Sequence, residues 1–133
     1  MEALVAQQIV LTSVRALSHS PIITPATRSE FEQYARDNVN LLKGSISVLG
    51  PLVQGGIFYR DNGVNVPYPP NATNPFFVPI CQIAPILSNQ AVIMYDLYNE
   101  ANRKAAIDIA LRTKLPATTD IIQLVQVNIA RFL

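Results

Sequence analysis

Apolar residues recur at helical intervals near both ends of this chain and lose that spacing in the middle. Over Ala3–Leu17, Leu4, Leu11, Val14 and Leu17 form a stripe with Gln7, Gln8, Ser13 and Arg15 around it, which predicts a first helix. Pro21 and Pro25 restrain the residues before them, so Ser18–Ala26 reads as an extended connector or arm with Ile22 and Ile23 to bury. Thr27–Lys43 predicts the clearest helix. Thr27 and Glu30 have capping-box spacing, and Phe31, Tyr34, Ala35, Val39 and Leu42 share a face. Glu32 and Arg36 are spaced to pair on the outside, and Lys43–Gly44 supplies a stop.

The period then changes to two. Ser45–Gly50 alternates as a short strand ending at Pro51. Ile57–Tyr59 and Val64–Val66 flank Asn62–Gly63, whose two residues tolerate the positive φ angles of a type I′ turn, and this predicts a hairpin. Pro67–Pro75 reads as an irregular loop and Phe76–Ile83 as extended, with Pro79 arguing against a central strand. Ser88 or Asn89 caps a long helix to Lys114, with Glu100–Lys104 and Asp108–Arg112 spaced for pairing. Pro116 ends it. Thr118 or Thr119 starts a last helix carrying Ile121, Ile122, Val125, Ile129 and Phe132, although the alternation of Val125, Val127 and Ile129 also fits a strand. The expected fold is α+β: a mainly helical body of about four helices, a small antiparallel hairpin and a Pro-rich extended segment.

Charge sharpens this picture. From Asn62 through Tyr95 the chain runs 34 residues without Asp, Glu, Lys, Arg or His, and six prolines fall in that run. Charged residues make up only 14% of the whole, so the surface has little charge-based protection against association. Residues 1–133 suit one domain, with 62–86 as an uncharged interface or arm. Tyr59, Tyr68, Phe76, Phe77 and Ile80 are the expected contact residues, because aromatic side chains combine large area with few rotatable bonds. A net charge of +1 with no basic patch argues against direct nucleic-acid binding.

Chemical motifs are sparse. The glycines make no phosphate loop. One Cys and one His exclude an internal disulfide and a thiolate-rich zinc site. Cys81 reads as a buried structural thiol, and His19 as a connector histidine beside two serines. Asp96 and Glu100 stand one helical turn apart, and with Lys104 they read as a solvated ladder rather than an acid/base pair. No catalytic residue, cofactor or metal is expected. Glu2 and Gln7–Gln8 argue against a secretory leader, and no apolar run reaches the roughly 18–20 residues of a membrane span. A soluble chain made in the cytoplasm is therefore expected, and the Asn71–Ala72–Thr73 glycosylation spacing reads as accidental.

These features point first to a non-enzymatic structural subunit packing with copies of itself or other subunits, such as a virion, phage connector or tail component. An adaptor or regulatory domain using a β-edge or the Phe76–Phe77 loop is the alternative. A third reading is a small enzyme or ligand-binding domain with Tyr95, Asp96, Asn99 and Arg103 between the hairpin and the long helix.

Overall fold

The computed structural model describes residues 16–38, 56–85 and 89–120. Its elements are Leu17–His19 (β1), Pro25–Asp37 (α1), Phe58–Asp61 (β2), Val64–Pro67 (β3), Gln82–Ala84 (β4) and Ala101–Thr113 (α2). Short 3-10 turns occupy Gln90–Val92 and Leu97–Asn99.

β2 and β3 form the hairpin predicted from Asn62–Gly63. Phe58 stands opposite Pro67, Asp61 opposite Val64, and the two turn residues have φ angles of 50° and 81°. β1 pairs antiparallel with β4, Leu17 opposite Ala84. Isolated bridges join Ile23 to Phe77, Pro79 to Asp96 and Phe58 to Tyr95. Together they link the two small sheets into one hydrogen-bonded layer: β3, β2, residues 94–96, residues 77–80, then the segment leading into α1. Pro79 can sit inside this layer because its neighbours carry the bonds. Ile80 N–H donates to Tyr95 O (3.0 Å), and Leu97 N–H donates to Val78 O (2.9 Å).

The core lies against this layer. Ile57, Phe58, Phe77, Ile80, Val92, Ile93, Met94 and Tyr95 are buried there, joined by Ile23 from the lead-in to α1 and Ala35 from α1 itself. α1 begins at Pro25, whose missing N–H costs nothing at a helix start. Thr24 is its extended N-cap residue, and Thr24 N–H donates to Thr27 Oγ1 (3.1 Å). The capping threonine is thus Thr24 rather than Thr27.

The expectation of a mainly helical body of about four helices is corrected: the described residues hold two α-helices and two two-stranded antiparallel sheets. The largest change falls on the helix expected over Ser88–Lys114, which is helical only from Ala101. Val92 through Asp96 are five consecutive residues, each no more than 3% exposed. A helix on a small core buries one face, whereas a segment with neighbours on both edges buries every residue. Asp96 and Glu100 also turn their carboxylates onto backbone N–H groups, capping the short turn and α2 respectively. Leu17, expected at a helix end, is in β1. Residues 3–15 of the first expected helix, the Ser45–Gly50 strand, the end of the helix expected to Lys43 and most of the last helix lie outside the described residues.

Candidate functional site

α1 carries two different polar faces. Arg28, Phe31, Glu32 and Ala35 follow the i, i+3, i+4, i+7 spacing and face the layer. The Arg28 side chain is the more unusual resident, since an arginine only 9% exposed must have its donors occupied. Its Nε donates to Glu32 Oε1 (2.8 Å), Nη1 to Pro69 O (2.7 Å) and Nη2 to Tyr68 O (2.7 Å). The guanidinium lies 5.3 Å from the centre of the Phe77 ring. Glu32 uses its other oxygen to accept from Ile57 N–H (3.0 Å).

Tyr68 extends this network to the middle of the layer. Its hydroxyl donates to Asp96 Oδ2 (2.8 Å), and Asp96 Oδ1 accepts from Val78 N–H (2.8 Å) and Tyr98 N–H (3.1 Å). Burial first, then the hydrogen bond to Asp96, pushes the Tyr68 hydroxyl far above the ordinary tyrosine range. Asp96 is 1% exposed, and three donors compensate its charge. The result is a polar spine from Ile57 through Glu32, Arg28, Tyr68 and Asp96 to Val78, tying α1, the proline loop and the layer together.

The opposite face of α1 is open. Ser29, Glu30, Gln33, Tyr34, Asp37 and Asn38 line a shallow cleft, wide open to solvent, with about 630 Å³ of space. Tyr34 is half exposed, Gln33 Nε2 donates to Asp37 Oδ1 (2.8 Å), and Asn38 Nδ2 donates to Tyr34 O (2.9 Å). The side chains described around this cleft offer carboxylates, amides, a hydroxyl and a phenol. None is basic.

The expected contact residues are placed as follows. Tyr59 packs at a tilt against Tyr68 (centroids 4.7 Å apart), and Tyr68 meets Phe77 edge-on (4.9 Å). Phe77 and Ile80 are buried in the chain's own core, while Tyr59, Tyr68 and Phe76 keep partial exposure. Phe76 stands apart from the others, against Tyr98 (4.3 Å). Of the four residues considered for a pocket, Tyr95 and Asp96 are buried, Asn99 is exposed and Arg103 lies over the Tyr95 ring at 5.8 Å. Asp96 is thus occupied by the spine, and the solvated ladder with Glu100 and Lys104 is corrected, because neither carboxylate is on a helix face. Arg28 was missed from sequence. Its signal was the i, i+4 spacing to Glu32, which competed with the equally good spacing of Glu32 to Arg36.

Among the described residues, no acid/base constellation emerges from this geometry. His19 is exposed in β1, with its backbone oxygen accepting from Cys81 N–H (2.9 Å). Burial pushes the Cys81 thiol up, away from the reactive thiolate. Among the described residues, no three His, Cys, Asp or Glu side chains stand together to hold a metal, and no helix is long and apolar enough to cross a membrane.

No curated protein and no solved structure matches the chain. A family model does: that of the CHASE domain, over residues 4–131. The family is an extracellular, non-catalytic sensory module of signalling receptors, which overturns the expectation of a virion, phage connector or tail subunit. The ligand-binding and regulatory alternatives stand closer to it. With all but a few terminal residues inside the match, the chain belongs to the CHASE domain family.

Proposed function

We propose that this chain is the sensing domain of a receptor, exposed on the outer side of a membrane, and that a small ligand is read by the outer face of α1. The observation that supports this site is the double role of α1. Glu30, Tyr34 and Asp37 line the cleft, while Arg28 and Glu32 on the same helix hold the polar spine. A ligand that shifts α1 by a fraction of an ångström therefore strains charge-assisted bonds to the proline loop and to Ile57, and through Tyr68 it reaches the middle of the layer. Two carboxylates beside a half-exposed phenol favour a ligand with an ammonium or similar N–H donor group over an anion.

The test is a thermal-shift series of small organic ammonium compounds against matched carboxylates, followed by titration of the best binder. Tyr34→Ala and Asp37→Asn are each expected to weaken that binder about tenfold. Hydrogen exchange with the ligand bound should protect residues 26–38. Protection confined to the β2–β3 hairpin, with affinity unchanged in both variants, would move the site elsewhere.

A further inference from the structure

The family membership gives a second meaning to one motif. Asn71–Ala72–Thr73 has the Asn-x-Thr spacing recognised by N-glycosylation, with a middle residue other than proline. On a chain confined to the cytoplasm this spacing is inert. On a domain outside the membrane it is chemistry waiting for a donor.

The structure puts the motif where a glycan can be carried. Ala72 N–H donates to Pro69 O (3.1 Å), closing a turn with Asn71 in its third position. Ala72 packs against the core and Arg28 holds the carbonyls of Tyr68 and Pro69, so the turn is anchored from beneath. Asn71 and Thr73 are both exposed. A branched sugar on Asn71 displaces nothing from the core and breaks no bond of the spine.

The surroundings match this modification in a second way. The same turn includes exposed Pro69 and Pro70 and follows exposed Pro67, and Val64 of β3, in the same uncharged run, is 62% exposed. Such a surface lacks the charges that ordinarily keep a domain dispersed. A bulky hydrated glycan supplies that protection without any charge.

We propose that Asn71 is an acceptor for one N-linked glycan, transferred from an oligosaccharide carried on a lipid pyrophosphate. The Asn71 amide nitrogen forms a bond to the anomeric carbon of the first sugar and gives up one proton. The bond from that carbon to the phosphate oxygen breaks, and the lipid pyrophosphate leaves with the electron pair. No oxidant or reductant is needed. The proposal rests on the extracellular reading but not on the α1 ligand site.

The experiment is cell-free translation of the full chain behind a cleavable secretory leader, in the presence of eukaryotic microsomal membranes. Protease protection reports entry into the microsomes independently of folding or ligand binding. The protected chain is expected to gain the mass of a single glycan, removable by peptide N-glycosidase, which leaves Asp at position 71. Asn71→Gln and Thr73→Ala should each abolish the gain, while Thr73→Ser should retain it in part. A protease-protected chain that gains no glycan, or one that keeps its glycan in Asn71→Gln, overturns the assignment. The ligand site is tested separately on unglycosylated protein, so failure of one reading leaves the other standing.

Discussion

Gly56 shows how one position without a side chain can hold two elements together. Its φ of +79° lies in the left-handed region, and a β-carbon there would overlap the Glu32 carboxylate. That carboxylate needs the space, because it accepts from Ile57 N–H and pairs with Arg28 at the same time. Gly56→Ala is therefore expected to cost at least about 2 kcal/mol: roughly 1–2 from the positive φ, and more from displacing a charge-assisted hydrogen bond. Urea unfolding of Gly56→Ala, Glu32→Ala and the double variant separates the two parts. With the carboxylate already gone, the glycine substitution should retain only its backbone cost. Equal costs in both backgrounds would show that Glu32 and Gly56 do not oppose each other. Two adjacent glycines, Gly55–Gly56, are a local signal for a turn. The need for glycine beside a helix residue 24 positions earlier comes from tertiary contact, which no local pattern carries.

Elements were legible where their cause was local. The β2–β3 hairpin follows from two adjacent residues that tolerate positive φ, so the turn and both strands stand where the sequence put them. The C-terminal end of α2, with Lys114 left-handed at φ 60°, was also foreseen near that residue. The N-terminal end was not, because the apolar spacing of Met94, Leu97, Tyr98 and Ala101 also fits a buried edge-to-edge segment. What decides the boundary is Glu100, whose side chain accepts from Asn102 N–H and Arg103 N–H (both 3.1 Å). Glu100→Ala should cost about 1 kcal/mol in chemical unfolding and speed amide exchange over the first turn of α2. Glu100→Gln keeps an acceptor oxygen and should recover part of the loss. If Glu100→Ala leaves both stability and exchange unchanged, the cap contributes nothing and another feature sets the helix start.

At the scale of the whole molecule, the uncharged run carries the expected interface or arm over residues 62–86, and part of that segment lies in the chain's own core. Phe77, Val78, Pro79, Ile80 and Cys81 are covered by the layer and by α1, and Val92 through Tyr95 by strands on both edges. The missing charges reflect the fold here, while composition alone has no term that separates a covered interface from a covered core. Function was less legible still, since the family match runs over residues 4–131 and no short motif in the sequence points to it. The raised phenols and thiol have a measurable consequence. Burial raises Tyr68 and Tyr95, hydrogen bonding to Asp108 raises Tyr98, and burial raises Cys81. Each of these groups is neutral in the folded protein at a pH where the unfolded chain has begun to lose the corresponding proton. Their contribution is thus fully present below the unfolded values, near pH 8.5 for cysteine and about 10 for tyrosine, and declines as pH rises beyond them. The domain should accordingly lose stability steeply above about pH 10 while remaining level near neutrality. Tyr68→Phe removes one titrating group together with its bond to Asp96. It should be less stable than the native chain at pH 7 but show a shallower decline in alkali, so the two curves converge. Thermal unfolding from neutrality into the alkaline range measures both slopes, and parallel curves would mean that Tyr68 ionises as readily folded as unfolded.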